Sequence, residues 1–340
     1  MNGWATGLFW LVAAGVGQGV FPVPMKFTRN WKWEHLWLWY SVLAFLVFPL
    51  AMALLTVPQL AEVYRTPPAQ SILLIASFGL AWGIGSVFFG LGLDALGMTL
   101  GFPIMTGLTT ALGGLIPMAV LTPELLLRKN GLLTIAGNVV TIVGVTVCAV
   151  AGDRRDRQLG RTITKSMLGP GRSFASALTI CILSGAFSAM FNFGYAFGTP
   201  ISDAAVALGA TRDNANNALW LVVLPAGGIA NVLYCVYLIR RNHSQSALLR
   251  GHIVRDWMSA VWMAALWSGS VIVYGWGANA WGRLGPTLGW SLWNGVLIAS
   301  TVVCGILMHE WDGVHGRPWA QLWLGIAILV AGMFILGAGV

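Results

Sequence analysis

The chain has 340 residues, of which 57% are hydrophobic and 9% charged, with a formal net charge of +8. A soluble domain carries roughly 25% charged residues, so a soluble fold could not cover this chain with polar surface, and an integral membrane protein remains. The basic residues stand in short runs between apolar segments, with no aromatic-interleaved patch, which argues against nucleic acid and for loops on a cytoplasmic face.

A helix needs about 20 apolar residues to cross the hydrocarbon. Such segments fall at 4–25, 35–56, 71–93, 97–121, 131–151, 174–199, 215–239, 256–281, 286–308 and 318–338. They are long and continuous without period-two alternation, which predicts ten helices and not barrel strands. The N-terminus has neither a basic n-region nor an evident small-residue cleavage site, so the first segment is expected to stay as a span.

The first segment carries Gln18 between small residues spaced for close helix approach, Gly15 and Gly19. Lys26 ends it, and Trp31, Trp33, Trp37 and Trp39 follow as an interfacial belt. The third and fourth segments meet in "WGIGSVFFGLGLDALGMTLGF" (82–102), rich in glycine and holding Trp82, Ser86 and one acid, Asp94. The spacing predicts a tight turn there, with Asp94 at the membrane edge beside a helix N-terminus, where an anion is favoured. After the fifth segment comes the longest loop, 152–172, charged and glycine-containing, which divides the chain into 1–151 and 173–340. Ser188 and Asn192 lie in the sixth segment, Tyr274 in the eighth, Trp290 and Asn294 in the ninth, and Glu310 just beyond.

Orientation follows from lysine and arginine. Loops after odd-numbered segments hold 14 of them and loops after even-numbered segments hold 5. This places the odd loops in the cytoplasm and both termini outside.

The halves repeat. "FGLGLDALG" (89–97) lies over "YGWGANAWG" (274–282), with Asn279 opposite Asp94. A shift of about 188 takes Gly101, Gly137 and Gly144 onto Gly289, Gly325 and Gly332. A shift of about 170 takes Gly15, Gln18, Phe21 and Phe27 onto Gly185, Ser188, Phe191 and Phe197. Because each half has five helices, the second enters from the opposite face. The expected fold is an all-α membrane protein of two inverted five-helix repeats, which suits alternating access around a midplane site. One chain then supplies both halves of a transport unit, so a monomer can suffice.

The polar residues inside the spans are neutral amides and hydroxyls, which match the hydroxyls of a neutral sugar. Gln18, Ser86, Ser188, Asn192 and Asn294 are the candidate hydroxyl partners, and Trp82, Tyr274 and Trp290 the candidate stacking surfaces. No acid sits at the centre of a span, which argues against a cationic substrate. Nucleophile elbow, P-loop, HExxH and paired-carboxylate patterns are missing, so no enzyme, metal or cofactor is expected. Cys148, Cys181, Cys235 and Cys304 all fall in apolar segments without metal spacing and read as small hydrophobes.

The stretches "VPMKFTRNWKWEHLW" (23–37), "WGIG" with "LGMTLG" (82–101), "GAFSAMFNF" (185–193), "AAVALG" (204–209) and "HEWDGVHGRP" (309–318) run in order along the chain. In them the chain resembles the bacterial L-rhamnose–proton symporter family of the drug/metabolite transporter superfamily. The resemblance implies ten helices, two repeats and sugar uptake across the inner membrane with a proton as coupling ion. It highlights Lys26, Trp31, Trp33 and Glu34; Trp82, Gly83 and Gly85; Phe187 and Ser188; Trp290; and Glu310, Trp311, Arg317 and Pro318. Asp94, Ser86 and Trp293 depart from the enterobacterial pattern, which has a basic residue, an asparagine and a histidine there. Lys26, Asp94 and Glu310 are the proton-coupling candidates. The expected partners are a small neutral sugar and membrane lipid, with no nucleic acid. Export or exchange of another metabolite, or a membrane scaffold or sensor, are the competing readings.

Overall fold

A computed structural model describes residues 3–160, 174–249 and 253–338; the side chains of 93–100, 103, 174, 249 and 337 lie outside that description. The expected linker therefore falls largely outside the described residues, although its first part is helical. Among the described residues, ten helices are long and apolar enough to cross a membrane. They are α1 Gly3–Val20, α2 Trp33–Thr56, α3 Ala69–Gly92, α4 Ile104–Leu121, α5 Lys129–Gln158, α6 Phe174–Ala196, α7 Arg212–Arg241, α8 Ile253–Ala280, α9 Trp290–Leu307 and α10 Arg317–Gly337. No strand occurs among the described residues. The helices expose large apolar side chains such as Leu54, Leu73, Leu233, Trp262 and Phe334. In water such surface would be a liability; in a bilayer it is the solvent-facing side. The chain is a multi-pass membrane protein.

Residues Ala69–Leu121 are helical without interruption. Yet the rings of Phe89 and Phe102 lie 6.0 Å apart, and a methyl built on Gly92 would sit 2.8 Å from the Met105 sulfur. Thirteen residues of straight helix span about 20 Å. The chain therefore doubles back between them, as the sequence predicts, and α3 and α4 are separate spans. The side chain of Asp94 lies outside the described residues.

Close backbone approach organises the bundle. A methyl built on Gly83 would lie 2.1 Å from the Gly227 carbonyl oxygen, and one on Gly79 2.2 Å from the Val223 carbonyl, so α3 and α7 meet backbone to backbone. Gly15 of α1 sits against Val296 and the Trp293 carbonyl of α9, and Gly185 of α6 against Leu108 and the Met105 carbonyl of α4. Gly137 of α5 faces Leu336 and the Gly332 carbonyl of α10, while Gly325 of α10 faces Cys148 and the Gly144 carbonyl of α5.

Two helices depart from α geometry beside prolines. Leu43–Val47 within α2 is π-helical just ahead of Pro49, and Gly285–Gly289 is π-helical at the entry to α9, around Pro286. Proline has no N–H, so nearby carbonyls lose their helical donor. Side chains replace it: Ser268 donates to the Ala44 carbonyl at 3.1 Å. These substitute donors bring polar side chains into the middle of the bundle. All four cysteines are free thiols, and Cys148, Cys181 and Cys235 are buried.

Candidate functional site

The bundle differs at its two ends. At the end carrying the loops after α4, α6 and α8, a cleft of ≈ 420 Å³ opens among Thr122, Tyr195, Ser202, Arg212, Asn216 and Asn279. That lies in the range of small-molecule pockets, about 300–1,000 Å³. The short helix Thr199–Ala207 forms one wall. Its Ser202 hydroxyl donates to Asn216 Oδ1 at 2.8 Å. Asn279 Oδ1 accepts from the Tyr195 hydroxyl at 3.1 Å and from Asn216 Nδ2 at 3.2 Å, and Asn279 Nδ2 donates to the Arg212 carbonyl at 2.9 Å. This wall is a network of amides and hydroxyls with spare hydrogens, and Asp203, Arg212 and Arg283 line the cleft beside it. At the rim, Glu124 pairs with Arg283 at 2.6 Å. The backbone hydrogen bond at Glu124, and then Arg283, hold that carboxyl below its usual range, so the pair is ionised at neutral pH.

Beneath the cleft the core is aromatic. Tyr195, Trp220 and Phe191 stack in a column, with centroids 5.6 and 5.1 Å apart and planes within 13° and 10° of parallel. Trp290 continues it at 6.0 Å from Phe191. Tyr274 stacks on Trp293 at 4.6 Å, and Trp82 on Trp267 at 5.7 Å.

The opposite end is tied shut, apart from a smaller hollow of ≈ 180 Å³ beside Arg155, Glu310 and Trp311. The carboxylate of Asp256, at the start of α8, is fully buried and accepts from three successive backbone N–H groups, Arg29 at 2.8 Å, Asn30 at 3.1 Å and Trp31 at 3.2 Å. Glu34 accepts from Asn242 Nδ2 and the Ser244 hydroxyl, both at 3.1 Å. His35 Nδ1 accepts from the Lys32 N–H at 3.1 Å, which leaves Nε2–H to donate to the Ser244 carbonyl at 2.9 Å. Lys26 pairs with Glu310, which also takes Arg155 at 3.2 Å, and the Arg155 guanidinium lies 5.4 Å from the Trp311 ring. Apart from the local Lys32–His35 bond, these ties join the first part of the chain to the second half. A wider groove outside, walled by Phe27, Val254, Met258 and Trp262 with Arg255 and Ser259, is mostly apolar and exposed.

The sequence candidates divide among these places. Asn192 and Tyr274 meet in the core: the Tyr274 hydroxyl donates to Asn192 Oδ1 at 2.7 Å. Asn192 Nδ2 donates to the Gly113 and Pro286 carbonyls. Gly113 lacks its helical donor because Pro117 follows four residues later. Both amide hydrogens of Asn192 are thus already used. Trp290 Nε1 donates to the Thr109 carbonyl at 3.1 Å, and Asn294 Nδ2 to the Trp290 carbonyl at 2.9 Å. Ser86 bonds the Gly83 carbonyl and Asn231 Oδ1, tying α3 to α7. Ser188 is half-buried where α6 meets Gly85. Gln18 is buried in α1 with Oε1 lacking a partner. Trp82 lies in the aromatic core; Lys26 and Glu310 are together at the sealed end. Sequence reasoning missed Asn216, Ser202, Trp220 and Asp256. Asn279 carried a signal, as the twin of Asp94 in the repeat.

A bundle of ten spans with a polar cleft over an aromatic floor is the build of a membrane transporter for a small polar solute. The family model for the L-rhamnose-proton symport protein (RhaT) matches residues 1–340, and the chain belongs to that family. It is 27% identical to the L-rhamnose-proton symporter of Mannheimia succiniciproducens, over 98% of this chain and 97% of that one. It is 26% identical to that of Klebsiella pneumoniae subsp. pneumoniae with the same coverage, and 25% identical to that of Escherichia coli O1:K1 / APEC over 99% and 98%.

Proposed function

We propose that the chain imports a neutral sugar, L-rhamnose or a related deoxyhexose, with protons, by alternating access between two inverted five-helix halves. The observation that carries the reading is the asymmetry of the bundle: a polar cleft rich in amides and hydroxyls open at one end, ionic and hydrogen-bonded ties across the other. Family membership supplies the substrate class and the coupling ion.

The inverted repeat is supported by contacts that map onto one another under the sequence shifts. Moving Gly15 by 170 gives Gly185; moving Val296 and Trp293 back by 188 gives Leu108 and Met105. The contact of Gly15 with Val296 and the Trp293 carbonyl thus has its twin in that of Gly185 with Leu108 and the Met105 carbonyl. Likewise Gly137 on Gly332 corresponds to Gly325 on Gly144. The lysine and arginine bias assigns the sealed end to the cytoplasm and the cleft to the outside, which makes this an outward-open arrangement in the inner membrane with both termini outside.

In this reading sugar enters the cleft and bonds the Asn216–Asn279 network. It moves toward the aromatic floor as the halves rock, with Gln18, Ser86, Ser188, Asn192 and Asn294 freed to bond hydroxyls and Trp82, Tyr274 and Trp290 to stack. The ties at Asp256, Glu34 and Glu310 then break to open the cytoplasmic end. Glu310 is the coupling candidate on which geometry bears most directly: protonation would discharge its pairs with Lys26 and Arg155 and weaken that seal. Asp94 and Lys26 remain the other candidates. Uptake by Glu310→Gln and Asp94→Asn variants measured across pH assigns the role; full pH dependence in both excludes the two acids.

A thermal-shift panel of sugars on the purified chain tests binding. L-Rhamnose raises Tm while unrelated neutral sugars do so less. A panel in which no sugar stabilises the protein favours the scaffold reading instead.

A further inference from the structure

The indole of Trp220 is 2% exposed, and its Nε1–H has no acceptor. A buried unpaired donor is costly, and the cost is not relieved by movement: the ring is clamped between Phe191 and Tyr195. Beside it lies Gly275 of α8. A methyl built on Gly275 would lie 3.2 Å from Asn216 Nδ2 and 3.7 Å from Trp220 Nε1. The missing side chain leaves a notch under the cleft floor with two nitrogens on its edge. The Asn216 amide donates to Asn279 and also reaches the Tyr195 hydroxyl, so Trp220 brings the unpaired donor.

We propose that this notch is a specificity subsite: Trp220 Nε1–H, beside the Asn216 amide, donates to one oxygen of the sugar, a hydroxyl or the ring ether. It rests on the sugar-transport reading above and names a recognition residue, Trp220, that reading does not contain. Indole is a donor only, so the subsite demands an acceptor. An ammonium or any group offering hydrogens alone finds no partner at the indole, and a sugar deoxygenated at that position leaves the donor unpaired. Trp220 is a binding residue, and Gly275 a positioning residue that acts by keeping the space empty.

The test uses the full chain in proteoliposomes, with L-rhamnose and its monodeoxy analogues as substrates. Trp220→Phe keeps the aromatic column and removes the donor. It should raise KM for L-rhamnose roughly 3- to 10-fold, as loss of one hydrogen bond does, with Vmax retained. It should also abolish discrimination against one analogue that the wild type transports poorly. Gly275→Ala places a methyl in the notch and should raise KM similarly while Tm holds or rises, since alanine is the better helix former. If Trp220→Phe does not assemble, Gly275→Ala alone decides. Wild-type KM and an unchanged analogue profile in the variants, beside an active wild type, overturn the subsite while leaving the transport reading intact. A wild type that neither binds nor moves L-rhamnose overturns that reading and the subsite with it.

Discussion

Asp256 has the most demanding side-chain position in the bundle. Its carboxylate lies fully buried and serves three backbone N–H groups of a loop from the other half of the chain. Asp256→Ala would strand those donors, and each buried unpaired donor costs about 1–3 kcal/mol. The variant should show a large fall in Tm in detergent; an unchanged Tm would mean that the loop holds without the carboxylate. Asn192 is the counterpart in the core. Asn192→Leu leaves the Gly113 and Pro286 carbonyls and the Tyr274 hydroxyl without partners in a medium that offers no water. It should cost about 2–4 kcal/mol, read as lost thermal stability before any effect on sugar affinity is considered. Such roles were only partly legible in the sequence. That Asn192 and Tyr274 mattered could be seen from polar residues inside apolar spans. That Asn192 is consumed by a carbonyl freed by Pro117 depends on which helices touch. Trp220 was one of 18 tryptophans, and no periodicity distinguishes an indole with an unpaired N–H from one facing lipid.

The elements themselves were the most legible level, because a hydrocarbon slab dictates the length and polarity of whatever crosses it. All ten spans fall where the apolar segments predict. The ends moved where polar residues continue the helix beyond the hydrocarbon: α5 runs on to Gln158 through Asp153, Arg155 and Arg157, whose charges face the sealed end or water. The π-helical stretches beside Pro49 and Pro286 needed the structure, since a proline in a span signals a disturbance but not its form. Glycines separate into two kinds by environment. A methyl on Gly83 would strike the Gly227 carbonyl oxygen at 2.1 Å, whereas nothing lies within 4 Å of one on Gly90. Gly83→Ala should therefore lower Tm and uptake sharply by pushing α3 off α7. Gly90→Ala should leave both within error or slightly improve stability. Equal effects at the two sites would contradict the backbone-to-backbone packing of α3 on α7.

For the whole molecule, the proposed repeat would let the two ends exchange roles. The contacts of Gly15 and Gly185 correspond residue by residue, so equivalent helices of the two halves pack alike. In a background without native cysteines, a cysteine at Thr199 in the cleft should react quickly with an impermeant maleimide added outside, and L-rhamnose should slow it. A cysteine at Ser244, buried within the sealed end, should react slowly and faster when sugar is present. Sugar that leaves both rates untouched would contradict exchange between the two ends. The account as a whole rests on one outcome. Proteoliposomes holding the wild-type chain should accumulate labelled L-rhamnose above the external concentration when the outside is made acidic, and lose that accumulation when a protonophore collapses the gradient. Intact, correctly inserted protein that moves no L-rhamnose under the gradient, or accumulates it equally without one, would contradict the proposal.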